Sequence, residues 1–290
     1  MLLPILVTLH SLKKKKLDVP GGFIALIIGF ILTLSNYCFT TSLLVFFYTG
    51  IKLSKYKSNQ KKSFEAYYRP DGLRSWIQVI SNGGVAATFS LLFLLERGSG
   101  GEITIDFFND YNNTWFAIAT LGSIASSCGD TWASEIGSVY SKKNPILLIG
   151  LRRVPRGTNG AVSIIGLLVS FLGGTAVGLG YYLTILIFVP RNILSMAPSQ
   201  WPVIITAGIA GLTGSIIDSI LGGYFQYSGI DRVTKKVVEV PGDRVKWISG
   251  SYLLDNHAVN LLSSLFTGLI TPRLAIWTFG YFVPGSVPYN

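Results

Sequence analysis

Long apolar runs are the feature that most constrains this chain. A helix needs about 20 mostly apolar residues to cross the hydrocarbon core of a bilayer, and seven or eight segments approach or exceed that length. They are Met1 to Leu12, Val19 to Ser35, Tyr37 to Leu53, Leu73 to Leu95, Thr114 to Gly137, Gly157 to Val189, Trp201 to Tyr227 and Asn256 to Phe279. The pattern predicts an all-α fold, a polytopic transmembrane helix bundle in which residues 1–290 form a single integral membrane domain.

The composition excludes an ordinary soluble domain. Charged residues make up 13% of the chain and the mean hydropathy is +0.49, whereas soluble domains carry roughly 25% charged residues. The two cysteines, Cys38 and Cys128, both lie in apolar runs, so no disulfide framework is expected. The first run is short, and no small-residue cleavage site follows it, which favours a short or tilted helix over a removed signal peptide. A helix lying on the membrane surface is the alternative for that run.

The distribution of basic residues predicts the orientation. Val19 to Leu53 could form one bent helix, but the lysines flanking both ends favour a hairpin that turns near Ser35. With the hairpin, 21 of the 24 Lys and Arg residues share one side, in Lys13 to Lys16 and in the loops Lys52 to Arg74, Lys142 to Arg156 and Arg232 to Lys246. The positive-inside rule makes that side cytosolic, and the net charge of +10 therefore requires no nucleic acid partner.

The opposite side carries the sequon Asn112-Asn113-Thr114, an acceptor for N-glycosylation where it faces a lumen. We expect a multi-pass protein of the endoplasmic reticulum or another endomembrane. The sequence does not indicate the number of subunits.

A cluster of carboxylates and hydroxyls closes the fifth run. A charged group at mid-depth costs roughly 2.5–3.5 kcal/mol, so Asp130 and Glu135 in Gly129-Asp130-Thr131-Trp132-Ala133-Ser134-Glu135-Ile136-Gly137 need a partner or a function. Mg²⁺ usually takes one or two carboxylates plus phosphate oxygens. We therefore expect Asp130 and Asp218 to hold Mg²⁺, and Asp130, Glu135 and Asp218 to be the catalytic residues. A buried pair of Asp130 with an arginine is the structural alternative.

A basic turn precedes the sixth run. It contains Arg152, Arg153, Arg156, Gly157, Thr158 and Asn159. Backbone N–H groups at a helix start attract anions, and arginines add bidentate phosphate contacts. The turn predicts a phosphate or nucleotide site, with anchoring of the arginines on lipid headgroups as the alternative.

Further polar side chains follow helical spacing. Arg74, Gln78 and Asn82 are four residues apart, as are Gly214, Asp218, Gly222 and Gln226, and Asn256, His257 and Asn260 open the last run. We expect Arg74, Gln78, Asn82, Gln226, Asn256, His257 and Asn260 to line a polar substrate pocket. Hydrogen bonding between membrane helices is the competing explanation.

Three of these segments together resemble the transmembrane protein 19 family: 129–137, 156–160 and the Gly214 to Gly222 repeat. That family looks similar to the plant phytyl-phosphate kinase and, more distantly, to the CTP-dependent polyprenol kinases. The resemblance implies a nucleotide triphosphate as co-substrate, a nucleotide and metal site at Asp130 and Glu135, and a phosphate-binding turn at Gly157, Thr158 and Asn159.

Three functions remain open at this point. The first is a membrane lipid kinase that transfers a phosphoryl group from a nucleotide, possibly CTP, to an isoprenoid alcohol or isoprenoid phosphate at the cytosolic face. The second is a transporter or channel with Asp130 and Asp218 in a permeation path. The third is a scaffold without a site, which leaves the costly buried charges unexplained.

Overall fold

The bundle consists of helices whose bounds follow the apolar runs. The computed structural model describes residues 2–55, 73–98, 104–140 and 144–287. The helices are α1 (Leu2–Lys13), α2 (Val19–Ser35), α3 (Tyr37–Lys55), α4 (Trp76–Arg97), α5 (Tyr111–Trp132), α6 (Ile164–Phe188), α7 (Arg191–Met196), α8 (Pro202–Phe225) and α9 (Asn256–Phe282). A π-helical turn, Ala133–Gly137, and a last helical turn, Ser138–Tyr140, extend α5. The predicted helical membrane fold is confirmed.

Four of the described helices are long and apolar enough to span a bilayer by themselves: α4, α6, α8 and α9. The predicted hairpin is also present, because α2 ends at Ser35, Asn36 adopts an extended conformation as its C-cap, and α3 begins at Tyr37. The hairpin brings the start of α2 and the end of α3 to the same end of the bundle.

Helix α5 is the central element, and its composition explains its place. Every residue from Ala117 to Gly129 is buried, and most of them are Ala, Ser, Gly or Thr. Small side chains allow neighbouring helix backbones to approach closely in a membrane. This helix therefore lies behind its more apolar neighbours, which face the lipid.

Glycines bring α5, α6 and α8 into backbone contact just below the end of α5. A Cβ placed on Gly129 of α5 would lie 2.6 Å from the carbonyl oxygen of Gly211 of α8, and one on Gly211 would lie 2.9 Å from Gly174 Cα of α6. Real Cβ atoms do not tolerate such distances, so this packing requires glycine. Asp130 follows Gly129 directly, and Asp218 lies about two turns beyond Gly211. Both aspartates therefore follow this contact toward the loop end of the bundle, where they line one cavity.

Two small antiparallel sheets, which the sequence analysis did not predict, occupy the loops at this end. The first has the strand order β2 (Arg152–Arg153), β1 (Ile146–Leu147), β3 (Ala161–Val162), and the second the order β5 (Val237–Val238), β4 (Ser228–Asp231), β6 (Val245–Ser249). In register, Leu147 faces Arg152 and Ala161, and Ile230 faces Val237 and Lys246. A buried cluster of Leu147, Val154, Val237 and Ile248 joins the sheets into one cap.

The opposite end carries different groups. Arg97 forms an ion pair with Asp110 at 3.0 Å, and the Gln200 side chain bonds both backbone groups of Ile105, at 2.6 and 3.0 Å. Asn112 of the sequon is exposed there and donates to Glu96 Oε1 at 3.1 Å. Part of the predicted basic loops, at 56–72 and 141–143, lies outside the described residues.

Candidate functional site

A polar cavity of about 760 Å³ opens at the end of the bundle where α3, α5 and α8 end and α4, α6 and α9 begin. Ligand pockets are typically about 300–1,000 Å³. Of the residues predicted to form a site, the cavity brings together Arg74, Gln78, Asn82, Asp130, Glu135, Arg156, Gly157, Thr158, Asn159, Asp218, Gln226, Asn256, His257 and Asn260.

Asp130 and Asp218 share this cavity and lie close enough for their charges to repel each other. Ser263 of α9 donates to Asp218 Oδ2 at 3.1 Å. The Asn260 amide lies between Asn82 and Asp218, at 3.2 Å from an oxygen of each. Because an ionised carboxylate only accepts hydrogen bonds, the Asn260 nitrogen belongs on the Asp218 side. Two side chains of α9 thus hold the Asp218 carboxylate, and Asn82 of α4 contacts one of them.

Arg74 lies in the cavity for a reason other than the predicted one. The sequence analysis placed it on the α4 stripe with Gln78 and Asn82, but α4 begins at Trp76, with Ser75 as its N-cap. Arg74 instead pairs with the α1–α2 loop: its N–H donates to Lys16 O at 3.0 Å, and its carbonyl accepts from Asp18 N at 3.2 Å. Gln78 completes the capping box by accepting from Ser75 N at 3.1 Å.

The Arg74 guanidinium is packed on aromatic rings. It lies 5.3 Å from the ring centroid of Phe46 and 5.8 Å from that of Phe47, within the range of a cation–π interaction. It also contacts the backbone at Gly50, where a Cβ would collide with Nη2. Burial lowers the pKa of Arg74, and the nearby Glu135 carboxylate opposes that shift. Arg74 remains a cation, since an arginine pKa starts far above neutral pH.

Glu135 reaches the cavity from the π-helical turn that follows α5. A regular α-helix places residues five positions apart about 140° from each other around the axis. The π turn changes that phase, and Asp130 and Glu135 line one cavity. The Ser54 hydroxyl at the end of α3 donates to Glu135 Oε1 at 3.1 Å.

The glycine-rich turn borders the cavity, but it does not begin a helix. Gly157 and Gly160 adopt φ angles of +84° and +78°, which non-glycine residues rarely adopt. The chain therefore turns into strand β3, and the predicted start of α6 at Gly157 is wrong. The helix starts at Ile164, with Ser163 as its N-cap. Ser163 and Gly166 line the cavity, so a helix N-terminus still borders it.

Thr158 and Asn159 hold this turn in shape. The Thr158 hydroxyl donates to Pro155 O at 2.7 Å. The Asn159 N–H donates to Ser228 Oγ at 3.0 Å, and its Nδ2 donates to Tyr227 O at 3.3 Å. Thr158 thus closes the turn on itself, and the backbone and side chain of Asn159 attach it to the start of β4. Arg156 and the glycines border the cavity beside them.

Arg152 and Arg153 do not line the cavity, although the sequence analysis grouped them with the phosphate site. Both lie in strand β2 and are exposed. The Arg152 guanidinium lies 5.9 Å from the centroid of the Trp247 ring and donates to the carbonyl of Ile248. Arg152 therefore links the two sheets of the cap, which its position beside Arg156 in sequence does not reveal.

Comparison with known proteins gives the family. Residues 2–268 match the family described as integral membrane protein DUF92. The chain belongs to this family. It is 36% identical over 278 residues to Protein PGR of Arabidopsis thaliana, covering 94% of each chain. An uncharacterized membrane protein of Methanocaldococcus jannaschii is 26% identical over 259 residues, covering 89% of this chain and 85% of the relative. An uncharacterized membrane protein of Synechocystis is 28% identical over 218 residues, covering 68% and 78%. No solved structure matches.

The cavity of this DUF92 protein includes residues that the sequence analysis did not include in its site. Ser163 carried a usable signal, because a serine directly before an apolar run is typical of an N-cap. Ser215 and Ser219 flank Asp218 in sequence. Nothing local in the sequence distinguishes Ser54 or Glu239, since only the folded loops bring them to the cavity.

The charges of the cavity suit a divalent cation. Among the described lining residues, four carboxylates (Asp130, Glu135, Asp218 and Glu239) face two guanidinium groups (Arg74 and Arg156). Within the described part of the chain, no group of three His, Cys, Asp or Glu side chains forms a complete metal site. Two aspartates with neighbouring hydroxyls instead match the incomplete protein shell of Mg²⁺, which leaves positions for water and phosphate oxygens.

Proposed function

We propose that this DUF92 protein is a membrane lipid kinase that transfers a phosphoryl group from a nucleotide triphosphate to an isoprenoid alcohol or isoprenoid phosphate. One observation carries the proposal: a single cavity of nucleotide size collects two facing aspartates, two arginines and a glycine turn at the basic end of a membrane bundle. The resemblance to the transmembrane protein 19 family, and through it to the phytyl-phosphate and CTP-dependent polyprenol kinases, supports the same class. We place the cavity on the cytosolic side, where nucleotide is available.

Phosphoryl transfer relies mainly on positioning and charge neutralisation. In the proposed reaction, an oxygen of the lipid acceptor attacks the γ-phosphorus of the nucleotide. The bond from this phosphorus to the bridging oxygen breaks, and the nucleoside diphosphate leaves with the electron pair. Asp130 and Asp218 would hold Mg²⁺, which neutralises phosphate charge. Arg156 and the Gly157 to Gly160 backbone would bind phosphate oxygens, and Arg74 the acceptor head.

An alcohol acceptor must also lose its proton. Glu135 and His257 both line the cavity and are the candidate bases. Glu135 already accepts from Ser54, whereas His257 Nδ1 is buried and has no hydrogen-bond partner among the described residues. We assign the base role to one of these two side chains, and the His257→Gln and Glu135→Gln variants separate them through the pH profile of the rate. A phosphate acceptor, which is already ionised, should show little loss in either variant.

The test uses purified full-length protein in nanodiscs, Mg²⁺, labelled CTP or ATP, and a panel of prenyl alcohols and prenyl monophosphates. We expect labelled lipid from at least one pairing and a loss of at least about a hundredfold in Asp130→Asn. Asp110→Asn is the matched control, because it removes a carboxylate whose exposed ion pair at the opposite end contributes only about 0–1 kcal/mol. Both variants should melt close to the wild type.

Two results would overturn the proposal. One is the absence of labelled lipid from every pairing in protein shown to be folded. The other is a solute flux in liposomes that needs no nucleotide and that Asp218→Asn abolishes, which would favour the transporter hypothesis.

A further inference from the structure

A second cavity lies next to the polar one, and its lining is apolar. It is a groove of about 90 Å³ formed by α1, α2, α3 and α4, and its walls include Leu3, Val7, Ile28, Leu43, Phe47 and Val79. Two further residues, Arg74 and Asn82, line both this groove and the polar cavity. The groove therefore adjoins the candidate site at these two side chains.

Two hydroxyl groups in the groove wall are already satisfied. Ser11 Oγ donates to Val7 O at 2.7 Å, and Thr40 Oγ1 donates to Thr33 Oγ1 at 3.0 Å. These groups do not need an occupant for hydrogen bonding, and a hydrocarbon chain fills an apolar space by van der Waals contact. The groove suits a hydrocarbon rather than a sugar, a peptide or an ion.

Small residues create the space. Ala25 and Gly29 of α2 and Gly83 of α4 line the groove. A Cβ on Gly29 would lie 3.1 Å from Pro4 Cβ, and one on Gly83 would lie 3.3 Å from Ile28 Cδ1. Larger side chains at these positions would narrow the groove. At its outer rim Leu3 is 44% exposed, on the surface that faces lipid in a membrane bundle.

The lining changes from apolar to polar at Arg74, which lies between the two cavities. On the groove side, Arg74 contacts the faces of Phe46 and Phe47. On the other side, its guanidinium borders the cavity that contains Asp130 and Glu135. A molecule that filled both spaces would need a polar or anionic head at Arg74 and a single apolar tail beyond it.

We propose that this groove binds the part of the lipid acceptor's tail that lies next to its head group. The inference rests on the proposed function, since it assigns the substrate head to the polar cavity. It adds a specific consequence: the groove selects acceptors by chain length. Acceptors too short to reach past Arg74 do not use the groove, and long-chain prenyl acceptors do.

The kinetic test fills the groove with Ala25→Leu. We expect the KM for a twenty-carbon prenyl acceptor to rise by about tenfold, which corresponds to about 1.4 kcal/mol, because the leucine occupies space that the tail would otherwise fill. The KM for a five-carbon acceptor and for the nucleotide should stay within about twofold. Ala176→Leu is the matched control, since Ala176 is also a half-buried helical alanine but lines neither cavity. Equal KM changes for long and short acceptors in Ala25→Leu would overturn the assignment.

A second measurement does not depend on catalysis. A twenty-carbon prenyl phosphate with a diazirine in the half of its tail nearer the phosphate is photolysed with wild-type protein in nanodiscs, and labelled peptides are identified by mass spectrometry. We expect labels on α1 and on the Leu43 to Phe47 part of α3, removed by excess unlabelled prenyl phosphate and reduced in Ala25→Leu. Labels spread evenly over exposed residues such as Leu168 and Leu179, without competition, would show that bulk lipid fills the groove. Groove labelling without any phosphoryl transfer would refute the kinase and keep the lipid site.

Discussion

The glycine contact between α5 and α8 can be tested with one added methyl group. In Gly129→Ala, the new Cβ would lie 2.6 Å from the carbonyl oxygen of Gly211 and 2.8 Å from its Cα. These are backbone atoms, so no side-chain rotation relieves the clash, and α5 must shift from α8. Overpacking of this kind costs about 1–3 kcal/mol. Asp130 moves with α5, and a displacement of about 1 Å in a catalytic group can cost about a hundredfold in rate.

The chain supplies the assay for this prediction. Cys38 and Cys128 are both buried free thiols, so a thiol-reactive fluorophore reports unfolding on heating. We expect Gly129→Ala to lower the Tm by about 2–12 °C, given about 2–4 °C per kcal/mol for a domain of comparable size, and to reduce phosphoryl transfer more than nucleotide binding.

Gly84→Ala of α4 is the matched control for that variant. Its Cβ would meet only Ile80 Cγ2, at 3.5 Å. Replacing a helical glycine by alanine contributes roughly 0.5–1 kcal/mol where space allows, so the Tm should stay or rise. A Gly129→Ala protein that melts with the wild type and keeps its full activity would refute the idea that this contact sets the position of Asp130.

Three further predictions concern the surroundings of the site. Ser263→Ala removes a donor to Asp218 and should raise the Mg²⁺ concentration needed for half-maximal rate by about 10–100-fold. An unchanged Mg²⁺ titration of the rate would contradict the role of Asp218. Gly50→Ala should displace Arg74 and raise the acceptor KM, with the nucleotide KM unchanged as the internal control. The backbone N–H groups of Thr234 and Val233 lower the pKa of Asp231. This carboxylate therefore stabilises its turn above the ordinary Asp pKa, and the contribution is lost as the pH falls through the lowered value. The protection of the turn's amides, measured as exchange relative to the intrinsic rate at each pH, should fall in acid, and Asp231→Asn should abolish that dependence.

The helices and their directions could be predicted because a bilayer imposes a length rule on every crossing. With a hairpin at Ser35, every polar segment is predicted to lie at the same end of the bundle. The common cavity of Asp130, Asp218 and Asn256 follows from this shared end of the bundle, together with the preference of buried polar groups for one another. Periodicity alone was sufficient for Gln78 and Asn82, which lie on regular helix.

Local backbone geometry accounts for what the sequence analysis missed. Arg74 has the right spacing for the α4 stripe, but Ser75 caps the start of the helix, so Arg74 precedes it. Its backbone partner, Lys16, is 58 residues away in the sequence. The turn at Gly157 looked like a helix start because it is basic and glycine-rich, yet its positive φ angles lead into a strand. The π turn that contains Glu135 has no marker in the sequence. These features depend on tertiary contacts that residue spacing does not encode.

Close packing of α5 and α8 and the charges of Asp130 and Asp218 favour opposite separations of the two helices. This conflict is an argument for a ligand between the two carboxylates. Gly129 and Gly211 allow α5 and α8 to pack closely, and Asp130 and Asp218, which follow them on these helices, lie close enough for their charges to repel each other. Each charge costs roughly 2.5–3.5 kcal/mol at membrane depth, against a total stability of about 5–15 kcal/mol for a typical protein. Alanine at position 218 would relieve the repulsion without disturbing the glycine contact, so stability alone does not explain the aspartate. A cation shared by both carboxylates would convert the repulsion into binding free energy, and the same arrangement would then hold phosphate next to Arg156, as the proposed function requires.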